Sequence, residues 1–318
     1  MPRRSLETLC LDLARVLRDE LVGELGAHGG RAHVGKRGGR GSGGDVTFAI
    51  DERAESLMEE FLSERAPDVA FYSEDRGMVH PVGADAAWVL VVDPIDGTRP
   101  ALAGFEAACV SVAAAPLDGK PTMGDVEVAC IVEIKGGGAF RASRGDGLQP
   151  PAALSRNTEL KRMFWTYGLR GRPARETIEV LAELIDASSV GGASFDLGSA
   201  TFDMTRIVSG QLDAYVEPGP RLVADVPGML ERFQRVGGGA VLNNSPYDLA
   251  AAALCLEEAG AIVTDAYGRS LADRPLLGSG PEFQMSCICA ANRELHTRIC
   301  EQIDAGIERL AGGDPRSG

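Results

Sequence analysis

The chain has 318 residues, 44% hydrophobic and 25% charged, with 32 Lys and Arg against 46 Asp and Glu, a net charge of −14. This is ordinary globular composition with room for one large core or two lobes, and its acidity argues against non-specific binding of nucleic-acid backbone. No uncharged apolar run approaches the ~20 residues that span a bilayer, and the start, Met1-Pro2-Arg3-Arg4, lacks the apolar segment of a secretion signal.

The first element is a helix over 5–25, with Leu6, Leu9, Leu13, Val16, Leu17 and Leu21 on one stripe. Residues 26–44 are rich in Gly, Arg and Lys and read as a mobile loop, either a plain linker or a lid whose cations meet an anionic substrate. A second amphipathic helix follows over 51–65, then a strand at Val69–Tyr72 and a buried strand at Trp88–Val92. Residues 108–115 read as a strand, and 126–134 with 139–142 as a hairpin turning at Gly136–Gly138. A Pro/Gly/Ser-rich stretch near Gly145–Arg156 divides the chain into an N-terminal lobe, 1–150, and a C-terminal lobe, 151–318. The second lobe reads as helices over 174–187 and 196–209, a strand at Leu212–Val216 and an alanine-rich helix over 247–259. Strands at Ala261–Thr264 and Met285–Ala291 and a closing helix over 293–311 complete it. The end, Gly312–Gly318, is expected to fray. Alternating helices and strands make a layered α/β or α+β protein.

Seven cysteines, an odd number, sit mostly in apolar runs without the CxxC spacing of zinc or redox sites. Buried reduced thiols in the cytoplasm are the expectation, with Cys287 and Cys289 on one side of their strand. The four histidines, at 28, 33, 80 and 296, form no catalytic pattern and are expected at the surface or in loops.

Chemistry concentrates at Asp93-Pro94-Ile95-Asp96-Gly97-Thr98, directly after the apolar run Trp88–Val92. Two carboxylates three residues apart at the end of a buried strand need a compensating charge, and a divalent cation supplies it. A tight turn would let both side chains and the Ile95 carbonyl converge on it. Gly97 and Thr98 offer backbone N–H groups where a helix begins, a seat for phosphate. Three further acids could join: Glu74, after a strand, and Asp51 and Asp248, each opening a helix. Taken singly, the last two are equally good helix caps and Glu74-Asp75 a solvated loop.

Together and in this order, these residues resemble the inositol monophosphatase family, within the lithium-sensitive Mg²⁺-dependent phosphatases that include fructose-1,6-bisphosphatases. Trp88–Thr98 resembles the first family signature. Tyr247-Asp248-Leu249-Ala250 with Glu258–Asp265 resembles the second, and Gly198-Ser199-Ala200 with Gly210–Tyr215 a third segment; the resemblance covers roughly 5–310. It implies a layered αβαβα sandwich and a phosphomonoesterase using two or three Mg²⁺ ions. It assigns Glu74, Asp93 and the Ile95 carbonyl to a first metal, and Asp93, Asp96 and Asp248 to a second. A third, weaker ion would sit near Glu74. Thr98, with Asp51 and Glu74, would orient the attacking water, and the Gly97 and Thr98 N–H groups would hold phosphate. Asp96 and Glu217 would contact substrate, Glu217 through a polyol hydroxyl. A cytoplasmic homodimer, inhibited by Li⁺ and acting on a small phosphate monoester, without nucleic-acid or membrane partners, completes the implication.

The sequence departs from the family pattern at Arg99-Pro100, where inositol monophosphatases carry other residues. Arg99 with Gly104 five positions on resembles the histidinol-phosphate and nucleotide phosphatase branches, while the residues around Asp51 and Glu74 resemble bifunctional inositol/fructose bisphosphate phosphatases, so fructose bisphosphate, histidinol phosphate and nucleotide 3′-phosphates stay open as substrates. Some thirty residues separate Glu217 from Asp248, far more than usual: either a surface insertion or a segment overhanging the substrate site, which puts the role of Glu217 in question. A non-catalytic metal- or phosphate-binding regulator on the same scaffold is the alternative from another class; such a chain would be expected to have lost Thr98, Glu74 or an aspartate.

Overall fold

The computed structural model describes residues 2–28, 37–40, 46–81 and 85–312. In chain order the N-terminal part runs α1 (Arg3–His28), β1 (Arg37–Arg40), β2 (Val46–Phe48), α2 (Ala49–Arg65), β3 (Ala70–Ser73), β4 (Gly77–Val79), β5 (Trp88–Asp96), α3 (Thr98–Leu102), β6 (Cys109–Pro116), β7 (Val128–Glu133), β8 (Ala139–Ser143) and β9 (Gly147–Gln149). The remainder is β10 (Phe164–Tyr167), α4 (Ala174–Ser188), β11 (Ala193–Phe195), α5 (Ala200–Val208), β12 (Ala214–Glu217), α6 (Gly219–Asp225), α7 (Met229–Val236), α8 (Pro246–Glu258), β13 (Ile262–Thr264), β14 (Cys287–Ala290) and α9 (Arg293–Ala311).

Two sheets organise the molecule. The larger has the order β4-β3-β5-β6-β7-β8-β9, with β3 and β5 parallel and the other neighbours antiparallel. The smaller has the order β11-β10-β12-β14-β13, with β10 parallel to both its neighbours. α1 and α2 cover the outer face of the larger sheet, burying Leu6, Leu13, Leu17, Leu21, Met58 and Leu62 against Leu90, Val92, Val110 and Val112. α5 and α8 fill the space between the sheets. α4 and α9 close the outer face of the smaller sheet through Val180, Leu181, Leu184, Ile299 and Ile303. The result is the expected αβαβα sandwich.

α8 shows why its sequence is what it is. A helix between two sheets has no solvent face, so a one-sided stripe would fail there. Leu249 through Leu256 are all buried, and the run Ala250–Ala253 supplies small side chains on a helix pressed from both sides.

Several expectations change. Residues 37–40 pair with β2 as an antiparallel ribbon rather than forming loop; the rest of the basic stretch, 29–36 and 41–45, and its lid reading lie outside the described residues, as do His33 and 313–318. The expected 196–209 helix begins only at Ala200, after β11 and a connecting loop, and β10, ahead of α4, is a further strand that the sequence reading lacked. These four- and three-residue strands are too short to show a period. The insertion forms α6 and α7, which bury Leu222, Met229 and Phe233 in the outer core. His296 is a correction: it is 6% exposed on α9, its Nε2 2.8 Å from Thr264 Oγ1. The cysteines are free thiols, six of them buried, and the Cys287 and Cys289 sulfurs lie 3.4 Å apart.

Candidate active site

β5 does not end at Val92 but runs through the motif to Asp96. Side chains three apart on a regular strand point to opposite faces. Here Asp93 pairs with Ser111 and Asp96 with Cys109, so three steps on β5 meet two on β6. That extra residue is a bulge, which re-aims a side chain, and Pro94 lies within it where a lost ladder N–H is tolerated. Asp93 and Asp96 therefore share one cavity. Gly97 follows with φ 95°, and a Cβ there would run into the Ala107 carbonyl and the Ser199 side chain. Only glycine serves both demands.

Asp248 arrives from the other direction. Ser245 caps α8, and Asp248 at its third position accepts from the Ser245 N–H at 2.6 Å. It is a capping residue and a cavity-lining acid at once. Oxygens of Asp93, Asp96 and Asp248 lie within 4.8 Å of one another. Asp96 is held at the start of α5: its Oδ2 accepts from Ser199 Oγ at 2.9 Å and from the Thr201 N–H at 2.5 Å. Thr201 Oγ1 also donates to the Asp248 carbonyl at 2.9 Å, tying the two helix starts together.

Burial dominates the electrostatics. It drives the Asp93 carboxyl well above its ordinary range, and Asp96, Glu74 and Asp248 push it further. Asp248 is raised to about 7, by burial first and Asp96 second. Asp96 is raised by burial, an effect countered by the donors from Thr201 and Ser199. Carboxyls so arranged resist ionising together unless a cation joins them. The all-oxygen donor set suits a hard divalent ion such as Mg²⁺.

Glu74 follows β3, and with Asp51 and Thr98 it lines the same cavity, as do Ile95 and Gly97. Thr98 Oγ1 lies 3.2 Å from Asp51 Oδ1 and 3.1 Å from the Ile95 carbonyl. Behind Glu74, Ser73 Oγ donates at 2.8 Å to the buried Glu55, whose carboxyl burial lifts to about 7.

Glu217 is the exception. It is fully buried, ion-paired to Arg172, and accepts from the Gly219 N–H at 2.8 Å. The cavity lining contains Arg172 and not Glu217, so the expected direct contact with substrate gives way to a carboxylate that holds a guanidinium. The sequence reading also missed Arg170, Arg172, Asp196 and Asp203, all on the lining. The one local signal was Gly168-Leu169-Arg170-Gly171-Arg172, two cations among glycines. The end of the insertion reaches the site too: Leu242, Asn243, Asn244 and Ser245 line it, and Gln284 Nε2 fixes the Val241 carbonyl at 2.6 Å.

The sequence profile of the Inositol monophosphatase family matches residues 11–308. The chain belongs to that family. A Nus factor SuhB of Vibrio cholerae is 27% identical over 227 residues, covering 70% of this chain and 73% of the relative. A fructose-1,6-bisphosphatase/inositol-1-monophosphatase of Methanothermobacter thermautotrophicus is 26% identical over 275 residues, 83% of this chain and 85% of the relative. The solved structure of the extragenic suppressor protein SuhB from Bartonella henselae superposes with a TM-score of 0.70 at 20% identity, covering 95% of this chain and 99% of that one. Among the described residues no helix is long and apolar enough to cross a membrane.

Proposed function

We propose that this family member is a Mg²⁺-dependent phosphomonoesterase that hydrolyses a small phosphorylated alcohol by direct attack of water. The observation that carries the reading is the convergence of Asp93, Asp96 and Asp248 within 4.8 Å at a buried site. Glu74, Asp93, the Ile95 carbonyl, Asp96 and Asp248 would hold two ions, with room for a third near Glu74. Bound Mg²⁺ supplies charge neutralisation and makes water more acidic. The chain's own residues do the rest. Thr98 Oγ1, donating to Asp51 or to the Ile95 carbonyl, keeps a lone pair to orient a water. Asp51 and Glu74 complete the set that orients it. The Gly97 and Thr98 N–H groups hold the phosphate, and Asp96 reaches the leaving side.

An inositol monophosphate-like ester is the reference substrate; fructose 1,6-bisphosphate, histidinol phosphate and nucleotide 3′-phosphates remain the other esters to assay. A cytoplasmic, Li⁺-inhibited homodimer of two-lobed subunits belongs to the same reading. Glycerol 2-phosphate and inositol 1-phosphate should be hydrolysed with Mg²⁺ and not with EDTA. Absence of turnover with either ester would favour a non-catalytic metal- or phosphate-binding regulator, a reading prompted by the relatives named Nus factor.

A further inference from the structure

The catalytic cavity is bordered on one side by Arg99, Arg170, Asp196 and Gly198. A substrate whose phosphate lies among the acids can extend its alcohol past the residues that border a neighbouring recess. That recess, of about 800 Å³, shares those residues with the cavity. That size falls in the range of small-molecule sites. Its walls are mainly apolar, with Pro100, Ala103, Leu197 and Phe202 among them, and Phe105 stands at it 68% exposed. Nothing in the core uses Phe105; the Gly104 turn, at φ 80°, sets it outside. Arg99, Arg170 and Lys135 outnumber Glu106 and Asp196 on the lining, reversing the sign of the neighbouring acidic cavity. Lys135 is posted over the turn, its Nζ donating to the Gly104 carbonyl at 3.0 Å.

We infer that this recess is the alcohol subsite, and that the substrate is a phosphate ester whose alcohol carries a flat apolar group and a second anionic group. The inference rests on the phosphatase reading above. A ring laid on Phe105 gains apolar burial and aromatic contact. An anion near Lys135 finds a charge-assisted donor. A compact neutral polyol would use neither. Phe105 and Lys135 are therefore specificity-determining positions outside the catalytic machinery.

Three alkyl esters separate the contributions: 4-carboxybenzyl phosphate carries ring and anion, benzyl phosphate the ring alone, and glycerol 2-phosphate neither. KM should be lowest for the first by at least about tenfold, the worth of ~1.4 kcal/mol. F105A should raise KM about tenfold for both benzyl esters and leave glycerol 2-phosphate unchanged. K135A should raise it for the carboxylated ester alone. Equal KM for the three esters, or variants that weaken all three alike, overturns the inference. So does a change of sedimentation coefficient in F105A, which would make the recess an interface between copies of the chain. Turnover of none of the three overturns the phosphatase reading instead. Calorimetric titration with 4-carboxybenzyl phosphate in Mg²⁺ then decides the subsite, and equal affinity of wild type and F105A removes it.

Discussion

Glu217, and the trio Asp93, Asp96 and Asp248, meet their desolvation by different means. Glu217, fully buried, has the Arg172 guanidinium and the Gly219 N–H as partners within the fold. Asp93, Asp96 and Asp248 have backbone N–H groups and a serine hydroxyl; burial raises their carboxyls, as it does that of Glu217. A buried charge needs a partner or it neutralises. The first group is complete as folded and reads as support. The second is completed from outside, which is what a cation site requires. Burial alone does not separate the two; the source of the countercharge does.

The comparison breaks most directly at Asp93. Asp93→Asn should cut kcat by more than about 100-fold, beyond the usual cost of disturbing a group one shell from a metal. It should also raise the melting temperature of the metal-free protein at neutral pH, since it removes a repelling acid. Steady-state kinetics and thermal melts in EDTA check both; retained activity would sink the two-ion assignment. Thr98→Ala should lower kcat within the ~10²–10⁴ range of a lost proton-transfer arrangement, with KM little changed.

At the other group, Arg172→Met strands Glu217 and should destabilise the fold by about 3–5 kcal/mol. Adding Glu217→Gln should recover most of that, as read by urea unfolding. If Arg172→Met leaves stability untouched, Glu217 is not a paired support.

The smallest effect is the pH dependence of the metal-free protein. Burial, and then the neighbouring Asp96, raise the folded-state Asp248 carboxyl from 3.8 to about 7. Between those values the folded state binds more protons than the unfolded one, so stability falls as pH rises from about 4 to 7. Mg²⁺ should reverse the trend near pH 7 and do little near pH 4. Glu55, also lifted to about 7, adds to the slope. Glu55→Gln should flatten it slightly without altering the Mg²⁺ response, which calorimetry across pH would detect.

Much of this was legible in the sequence. Long amphipathic runs located α1, α2, α4 and α9, because a repeating stripe over several turns is a strong signal. The short strands β10 and β11 left none. The existence of an acidic site could be read from Asp93-Pro94-Ile95-Asp96 after an apolar strand. Its geometry could not, since spacing of three on a strand predicts opposite faces until a bulge intervenes.

The sequence by itself determined the layered class, the family resemblance and the set of acids that carry the proposed chemistry. These are local patterns: periodicity, turn residues and charge beside apolar runs. Only the tertiary structure decided that Asp96 rests on the start of α5, that Arg172 covers Glu217, and that Phe105 and Lys135 stand beside Arg170. Those contacts join residues 30 to more than 100 positions apart. No local pattern encodes such a meeting, because it is made by two sheets closing on α5 and α8.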